Sequence, residues 1–314
     1  MCVFSGGTAN NTVLSSGGLL NLRAGATLNS TTVGGGNLTV TDGCTATGNT
    51  VNSGGTVTVN DGGTVYDNVL SKGMIHLSGG NIRRTAIYSG GSMIVSQNAS
   101  ADTTTVNAMG NMTVFKGGKA TATTVSGGNL YVSVGGQASG CNVESNGALY
   151  VYSGGEINST VLNSRGLAYI SGGGIAYWPR VSSGGTLTIR SGGETWDTAV
   201  NGGVVNVSQG GSAGAVDVLA GTVNVSSGGF ASGVMLSSGA TVNVFNGGTL
   251  ANPYGYGNLY VSAGGKVTGT FQMYSDGVAA FDRGSILDFD ISEYDPDNQW
   301  PCVIDLSQIT GTPN

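Results

Sequence analysis

Along most of the chain, short stretches of alternating polar and apolar residues are separated by Gly-rich turns. Thr56-Val57-Thr58-Val59 is a typical stretch, and its alternation is the period of a β-strand with one face buried. A solenoid is indicated, because the stretch recurs at a mean spacing of about 18.4 residues. Its last apolar residue falls at 14 positions: Leu22, Val40, Val59, Leu77, Val95, Val114, Val132, Val151, Ile170, Ile189, Val207, Val225, Val244 and Val261.

A second apolar stripe follows about half a period later and predicts a second inward-facing strand in each repeat. Its members are Val13, Val33, Val51, Val69, Ile87, Val106, Val125, Val143, Val161, Val181, Val200, Val218 and Phe271. Alanine after a Gly pair marks a small inward position between the stripes, at Ala9, Ala46, Ala120, Ala138, Ala176, Ala213 and Ala231. One turn is therefore predicted as strand, Gly corner, small inward residue, short strand and Gly corner.

These patterns predict an all-β fold, a single-stranded parallel β-helix of about 14 rungs with about 18–19 residues each. No window repeats at the helical period, and 58 glycines would destabilise helices. Only 5 prolines argue against collagen. The regular apolar stripes and a charged fraction of 9% argue against disorder.

The pattern changes near the C-terminal end, and the charge changes with it. The net charge is −6, but residues 1–271 are almost balanced, with 10 Lys or Arg and 9 Asp or Glu. Residues 272–314 contain one basic and 8 acidic residues, and the Gly pairs stop at Asp276. We therefore predict a Gly-rich β-helix over residues 1–271, and an acidic cap or the start of a next module over residues 272–314.

Several partners and compartments are disfavoured by the sequence. No basic stripe is present, so we expect no nucleic acid partner. No apolar run is long enough to span a bilayer, so we expect no membrane insertion by this segment. The repeat starts at Ser5-Gly6-Gly7 without the pattern of a signal peptide. We therefore expect a segment of a longer protein whose signal and anchor lie outside this chain.

The Ser-Gly-Gly-Thr-x-x-Val motif, recurring at this period, resembles the passenger repeats of AIDA-type autotransporters. It occurs as Ser53-Gly54-Gly55-Thr56-Val57-Thr58-Val59 and Ser183-Gly184-Gly185-Thr186-Leu187-Thr188-Ile189, and in part as Ser227-Gly228-Gly229. The resemblance covers about residues 5–271. It implies a right-handed β-helix, on the surface of a Gram-negative cell or secreted, that mediates adhesion, autoaggregation and biofilm growth.

The same resemblance implies partners and a modification. The partners would be other copies of the chain, surface glycans or a host receptor. In some members of the family, a dedicated transferase attaches heptose to repeat serines. The corresponding serines here stand beside Gly pairs, at Ser16, Ser53, Ser183 and Ser227.

Catalytic groups are difficult to find. Some β-helices are polysaccharide lyases or hydrolases, which need grouped carboxylates. Asp42 and Asp61 hold the same place in successive rungs, but each precedes Gly, where Asp is an ordinary turn residue. His76 lies at an outward position with no Ser or Asp in register. We predict no catalytic residue and no enzyme activity.

Metal and cofactor sites are not predicted either. The cysteines lie too many rungs apart for a disulfide framework and form no metal-binding motif; they are Cys2, Cys44, Cys141 and Cys302. The oxygen-rich tail lacks the spacing of a calcium loop; its residues are Asp288, Asp290, Asp295, Asp297 and Asn298. A regular Thr-x-Thr plane for ice binding is also missing.

Outward aromatic residues are the remaining candidates for contact with a partner. The outward place of the main strand holds Tyr131, Tyr150 and Tyr169 on successive rungs, and further on it holds Asn206, Asn224 and Asn243. Trp178 and Trp196 are separated by one repeat period and are predicted to stack. Exposed rings suit sugars or another copy of the chain, although identical side chains also stack along a solenoid without a ligand.

The sequence thus favours a surface-exposed adhesin passenger segment that attaches cells through repeated polar and aromatic ladders. Its predicted contact residues are the five aromatic residues Tyr131, Tyr150, Tyr169, Trp178 and Trp196. Two alternatives stay open. One is a carbohydrate-binding or carbohydrate-active β-helix of the tailspike or lyase type, and the other is a passive stalk.

Overall fold

The computed structural model describes residues 1–274 and 277–288, in which it contains 39 strands. The chain divides into two compact units, Met1–Thr160 with Arg165–Leu167, and Val161–Ser164 with Ala168–Asn314. Both units are parallel β-solenoids, with about 15 turns in total. The predicted fold class is confirmed.

Each rung has three short strands joined at three corners. In one rung of the first unit, the strands are Asn37–Val40, Thr45–Thr47 and Thr50–Val51. We call their positions the first, second and third face. The first corner follows the first face, the second corner separates the second and third faces, and the third corner leads into the next rung. The sequence predicts only two strands per turn, so the second corner is a correction.

The strands are grouped by face, and some continue around a corner. First-face strands are Cys2–Val3, Leu19–Leu22, Asn37–Val40, Thr56–Asn60, Met74–Ser78, Ser92–Ser96, Asn111–Phe115, Asn129–Ser133, Ala148–Tyr152, Leu167–Ile170, Thr186–Ile189, Thr241–Val244, Asn258–Val261 and Val278–Phe281. Second-face strands are Thr8–Asn10, Thr27–Asn29, Thr45–Thr47, Lys119–Thr121, Gln137–Ser139, Glu156–Asn158, Ile175–Tyr177, Thr249–Ala251, Lys266–Thr268 and Ile286–Asp288.

Third-face strands are Val13–Leu14, Thr32–Val33, Thr50–Val51, Thr124–Ser126, Asn142–Glu144, Val161–Leu162, Arg180–Ser182, Tyr254–Gly255 and Gln272–Met273. Strands that cover the second and third faces are Thr64–Leu70, Asn81–Ile87, Ser100–Val106 and Phe230–Leu236. Glu194–Val207 and Ser212–Val225 continue through all three positions and end on the first face of the next rung.

In-register parallel pairing buries the predicted first stripe. Thr56–Asn60 pairs with Asn37–Val40 on one side and with Met74–Ser78 on the other. Val57 and Val59 of this strand have no exposed surface. Every member of the first stripe is buried, which confirms that prediction. Their burial against neighbouring rungs supplies the main stabilising contribution, because no rung can bury its apolar edge alone.

The Gly pairs at the corners have two separate functions. Gly54 has a φ of +76°, a conformation that glycine adopts without steric cost. Gly55 packs against the carbonyl of Val33 in the preceding rung, where a Cβ atom would overlap the backbone. The first glycine therefore makes the turn, and the second allows the rungs to approach each other.

The second corner consists of a residue with left-handed backbone followed by a buried residue. The buried residues of the first unit are mostly polar: Thr31, Asn49, Asn68, Thr85, Thr104, Thr123, Cys141 and Thr160. Those of the second unit are mostly apolar: Pro179, Thr198, Val216, Val234, Pro253 and Phe271. Phe271 follows the left-handed Gly269 by two residues and precedes the third-face strand, so this member of the predicted second stripe is buried at the corner. Some of the polar corner residues are hydrogen-bonded to each other across neighbouring rungs: Asn49 Nδ2 donates to Asn68 Oδ1 at 2.9 Å.

Three members of the predicted second stripe do not point inward. Val13 is 68% exposed and Val69 is 40% exposed, while Val161 is partly exposed. The buried residue of each rung is the next one along the chain: Leu14, Leu70 and Leu162. The left-handed corner residue interrupts the alternation of inward and outward side chains. In these three rungs the inward-facing residue is therefore one position later than predicted.

Parallel pairing continues beyond residue 271. Val278–Phe281 pairs with Asn258–Val261, and Ile286–Asp288 pairs with Lys266–Thr268. Lys266 Nζ also lies 2.7 Å from Asp288 Oδ2. The predicted boundary at residue 271 therefore does not coincide with the end of the strand pairing. The remainder of the predicted acidic cap, from residue 289, lies outside the described residues.

Candidate adhesive surface

The first face of the first unit carries a stacked pair of tyrosines. Tyr131 and Tyr150 are in register on neighbouring strands, and their ring centroids are 5.0 Å apart at an interplanar angle of 12°. Leu130 and Leu149, which precede them in the chain, are fully buried. Strand alternation therefore directs both rings outward from a fixed core, as predicted.

Packing of the pair alters the chemistry of one phenol. Burial raises the pKa of Tyr131, and the neighbouring Tyr150 and Tyr152 raise it further. The hydroxyl is therefore neutral at physiological pH and can act as donor and acceptor. Tyr169, the third predicted member, belongs to the second unit. There the guanidinium carbon of Arg190 lies 5.1 Å from the centre of its ring, in a cation–π contact.

The first face of the second unit carries a hydrogen-bonded ladder of amides. Asn224 Nδ2 donates to Asn206 Oδ1 at 2.9 Å, and Asn243 Nδ2 donates to Asn224 Oδ1 at 2.9 Å. All three side chains are partly buried. Their register makes each amide a partner for the next, so the predicted asparagine ladder is confirmed as a structural feature.

The predicted stack of Trp178 on Trp196 is wrong. The in-register partner of Trp196 is Tyr177, because the pairing of these two rungs is offset by one residue from the predicted spacing. Trp178 lies at the second corner beside Tyr177, with ring centroids 5.9 Å apart and an interplanar angle of 44°. Trp178 and Trp196 are 52% and 46% exposed. The rings of Tyr177 and Trp178 are therefore in contact at the corner, and Trp196 is exposed at the in-register position of the next rung.

The four predicted glycosylation serines lie at two different corners. Ser16, Ser53 and Ser183 precede first-face strands and occupy the third corner, whereas Ser227 follows a first-face strand and occupies the first corner. All four side chains are exposed. Each hydroxyl is therefore accessible to an enzyme, although the backbone on either side of Ser227 differs from that of the other three.

A charged groove crosses the second face of the first unit, with a volume of about 400 Å³. Tyr66, Arg83, Asp102 and Thr121 stand in register along it. Arg83 Nε is 3.6 Å from Asp102 Oδ2, and Thr121 Oγ1 donates to Asp102 Oδ1 at 3.1 Å. The two charges in the groove, on Arg83 and Asp102, thus have opposite signs and lie side by side.

A second ion pair lies at the corner beside this groove. Arg84 donates from Nε and Nη2 to the two carboxylate oxygens of Asp67, at 2.6 and 2.9 Å. These hydrogen bonds lower the pKa of Asp67 and raise the pKa of Arg84. Both groups are solvent-exposed, so this pair contributes little to stability.

The residues considered for catalysis lie in settings typical of turns and strands. Asp42 and Asp61 stand at successive first corners, and their carboxylates lie against Gly62 and Gly79 of the following rungs. His76 is partly exposed, and its in-register neighbours are Thr58 and Ile94. Neither neighbour can orient an imidazole as a carboxylate would.

Cysteine chemistry is equally restricted in the described ranges. Cys2, Cys44 and Cys141 are free thiols, and burial raises the pKa of Cys141 to about 12. That thiol is therefore protonated and a poor nucleophile or metal ligand. Residues 1–274 and 277–288 hold no group of three or more His, Cys, Asp or Glu side chains arranged for a metal ion. Cys302 and most of the predicted oxygen-rich tail lie outside these ranges.

The same described residues include no helix long and apolar enough to cross a membrane.

Comparison with known proteins identifies a family model and a similar crystal structure. A family model described as "Adhesin of bacterial autotransporter system, probable stalk" matches residues 70–128. The crystal structure of a TibC-catalyzed hyper-glycosylated TibA fragment matches with a TM-score of 0.66 and 30% sequence identity. That match covers 93% of this chain and 98% of the fragment.

Other comparisons add no argument. A mutant of the periplasmic alginate epimerase AlgG matches with a TM-score of 0.23 and 8% identity, over 92% of this chain and 84% of the enzyme. No curated protein sequence matches the chain.

The repeat, the solenoid and the TibA match over nearly the whole of both chains lead to the same family. The family model independently places residues 70–128 among the autotransporter adhesins. The chain belongs to the AIDA-type autotransporter adhesins and is an adhesin passenger segment.

Proposed function

We propose that this segment attaches cells to one another through contacts between the outward ladders of copies of the chain. An autotransporter adhesin acts at the cell surface or after secretion, and we place this one on a Gram-negative cell. The proposal treats the segment as a binding protein without enzyme activity. The observation that carries it is the stacked pair of Tyr131 and Tyr150 on an outward strand face.

The physical basis of attachment is the sum of weak contacts. Tyr131 and Tyr150 are partly exposed, so the stacked rings can meet rings or polar groups of another copy. One such contact is weak. Repetition along a face, and among the many chains displayed on a cell, multiplies it by effective concentration.

The test uses three tyrosines and a matched set of other aromatic residues. Light scattering over a concentration series would compare the wild-type chain with a variant in which Tyr131, Tyr150 and Tyr169 are changed to serine. The control variant changes exposed aromatics that lie away from the first face: Tyr88, Phe230 and Tyr254.

We expect reversible association that weakens in the first-face variant and persists in the control variant. Equal loss in both variants would mean that general hydrophobicity drives association, and would contradict the proposed surface. A wild-type chain that stays monodisperse at high concentration would contradict self-association altogether.

A passive stalk is the second candidate function, because the family matched by residues 70–128 is described as a probable stalk. A stalk would hold an active domain away from the cell and would need no contact surface of its own. It therefore predicts a monomer in the same experiment. In addition, cells that display the segment would not aggregate.

We further propose that Ser16, Ser53, Ser183 and Ser227 accept sugars. The support is that all four are exposed at corners and that the TibA fragment, at 30% identity, is hyper-glycosylated by TibC. Coexpression with TibC followed by peptide mass spectrometry would test each serine. Sugar on peptides of the corner serines is expected, and its absence from all four would contradict the assignment.

Ser227 sharpens this test because it lies at the first corner. If the transferase recognises the third-corner backbone, then Ser16, Ser53 and Ser183 will be modified and Ser227 will not. Modification of all four would indicate that exposure beside a Gly pair is sufficient.

A further inference from the structure

We propose that Tyr177, Trp178 and Trp196 in the second unit form a platform that binds uncharged hexose units of glycans. The platform lies on the second face and second corner, away from the first-face ladders. It would add a ligand to the adhesin and does not depend on contact between copies of the chain.

The platform is built by the register of two rungs. Tyr177 ends the strand Ile175–Tyr177, and Trp196 is its in-register partner in the next rung. The Trp178 backbone N–H donates to the Trp196 carbonyl at 2.9 Å. This hydrogen bond and the strand pairing fix the backbone positions of the three residues, and the rings of Tyr177 and Trp178 are in contact. Flat, partly exposed rings in fixed positions suit the apolar faces of pyranose rings.

Gly214 gives Trp196 the space that it occupies. It is the next in-register residue after Trp196, and a Cβ atom at this position would lie 2.8 Å from Trp196 Cε3 and Cζ3. The indole therefore packs directly along the backbone of the following rung. This contact holds one part of the ring system, while 46% of the residue surface stays exposed to solvent.

Trp178 stays exposed in a conformation that is unfavourable for it. Its φ is +51°, and a left-handed backbone costs a non-glycine residue about 1–2 kcal/mol. The next residue is Pro179, which disfavours helical conformations of the residue before it and pushes that residue towards extended ones. Glycine occupies this corner in a few rungs, for example Gly48 and Gly140, whereas other rungs place polar or small residues there.

The size of the patch favours a small ligand over a second copy of the chain. Fully buried aromatic side chains each contribute about 150–250 Å², and these three are already partly covered. They therefore offer only a few hundred Å², whereas a stable protein interface needs about 800 Å² from each partner. A disaccharide or trisaccharide fits the smaller area.

The charges beside the rings favour an uncharged sugar. Arg180 follows Pro179, and Asp197 follows Trp196; both side chains are exposed. Glu194 is also exposed and lies two residues before Trp196, on the same side of the strand. The rim therefore has one cation and two anions, which disfavours an acidic ligand. Arg180 and Asp197 can form charge-assisted hydrogen bonds with sugar hydroxyls, because guanidinium donates and carboxylate accepts.

The experiment titrates the whole chain with maltotriose, cellotriose, mannotriose and lactose. Tryptophan fluorescence reports on the platform, and saturation-transfer NMR detects the bound sugar directly. We expect millimolar binding of at least one of these sugars, with saturation transferred to ring protons of the sugar. The variants are Trp178→Gly and Trp196→Ser, with Phe230→Ser as an exposed aromatic control on the second face.

Trp178→Gly separates a binding role from a structural one. Glycine relieves the left-handed strain, so the denaturation midpoint should stay unchanged or rise. Binding should nevertheless weaken about tenfold or more, equivalent to about 1.4 kcal/mol, in Trp178→Gly and Trp196→Ser but not in Phe230→Ser.

Three results would overturn the proposal. The first is no binding of any of the four sugars by the wild-type chain. The second is binding that is undiminished in both tryptophan variants. The third is a change in self-association, and none in sugar binding, when the tryptophans are replaced. Because binding is read on single chains, failure here leaves the proposed contact between first faces standing, and the reverse also holds.

Discussion

The first faces of the two units occupy the same position in the repeat but carry different chemistry. In the first unit, Tyr131 and Tyr150 stack ring on ring. In the second unit, Asn206, Asn224 and Asn243 bond amide to amide. Both sets alternate with buried apolar residues on parallel strands of the same kind.

The two ladders differ in the kind of contact that joins neighbouring side chains. The amides of the asparagine ladder form hydrogen bonds with their neighbours along the stack, so the ladder contributes chiefly to stability. The tyrosines contact each other through their rings, and both side chains are partly exposed on the outward side of the strands. One repeat can thus support a stabilising surface and an attaching surface without a change in backbone.

The largest expected effects lie beneath both ladders, where the two units should behave alike. Leu130→Ala in the first unit and Leu187→Ala in the second each remove a fully buried side chain. We expect each to reduce the free energy of unfolding by about 2–5 kcal/mol, as measured by urea denaturation. A loss below about 1 kcal/mol in only one unit would mean that the two cores are not equivalent.

The second-largest expected effect is a loss of stability in the asparagine ladder without a loss of association. Asn224→Ala removes both hydrogen bonds of the central amide, each worth about 0.5–1.5 kcal/mol. We expect a loss of about 1–3 kcal/mol in the free energy of unfolding, without a change in association. Asn243→Ala is the control, because it removes one of the two bonds and should cost about half as much. Equal costs would show that the bonds do not act separately.

We expect Tyr150→Ser to weaken association between copies and to have a smaller effect on stability. Loss of the stack should cost only about 0.5–1.5 kcal/mol of stability, while association of copies weakens measurably. Urea denaturation and light scattering on the same sample would give both quantities. Greater loss of stability than in Asn224→Ala, with association intact, would assign the tyrosines a structural role.

The smallest effect concerns pH. Because packing raises the pKa of Tyr131, its neutral form is favoured in the folded chain. This contribution to stability is complete below the pKa of a free tyrosine, near 10, and is lost as pH rises through the higher folded value. Absorbance titration of the phenolate should show one late-titrating tyrosine that is absent from Tyr131→Phe. An unchanged titration curve in that variant would refute the assignment.

The repeat length and the first stripe could be predicted from sequence because their signal is redundant. Residues such as Val40, Val59 and Val225 recur with similar polar neighbours, so each repeat confirms the spacing indicated by the others. The stacked tyrosines and the asparagine ladder follow from that register. In a parallel solenoid, outward residues that are one repeat apart in the sequence lie in the same column on neighbouring rungs.

The second corner could not be predicted in the same way. Its left-handed residues range from Gly48 to Arg84 and Trp178, so no residue type marks it. Its buried neighbours include threonine and asparagine, which ordinary hydropathy assigns to the surface. Adjacent apolar residues such as Val69 and Leu70 then leave the inward choice ambiguous.

The aromatic residues Tyr177, Trp178 and Trp196 show the consequence of a one-residue difference in strand register. The sequence spacing of Trp178 and Trp196 predicts that they stack, but the local rung is one residue longer than that spacing and pairs Tyr177 with Trp196. Rung lengths vary along the chain, since the rung that pairs Tyr66 with Arg83 is shorter than this one. A shift of one residue moves a side chain to another side of the strand.

The tyrosine surface is proposed to attach copies of the chain, and the amide surface to stabilise the fold. Sedimentation equilibrium would compare three chains: the wild type, a variant with Tyr131, Tyr150 and Tyr169 changed to serine, and a variant with Asn206, Asn224 and Asn243 changed to serine. We expect the tyrosine variant to be the more monomeric. The asparagine variant should associate like the wild type but have a lower denaturation midpoint. Association lost in the asparagine variant and kept in the tyrosine variant would contradict this proposal.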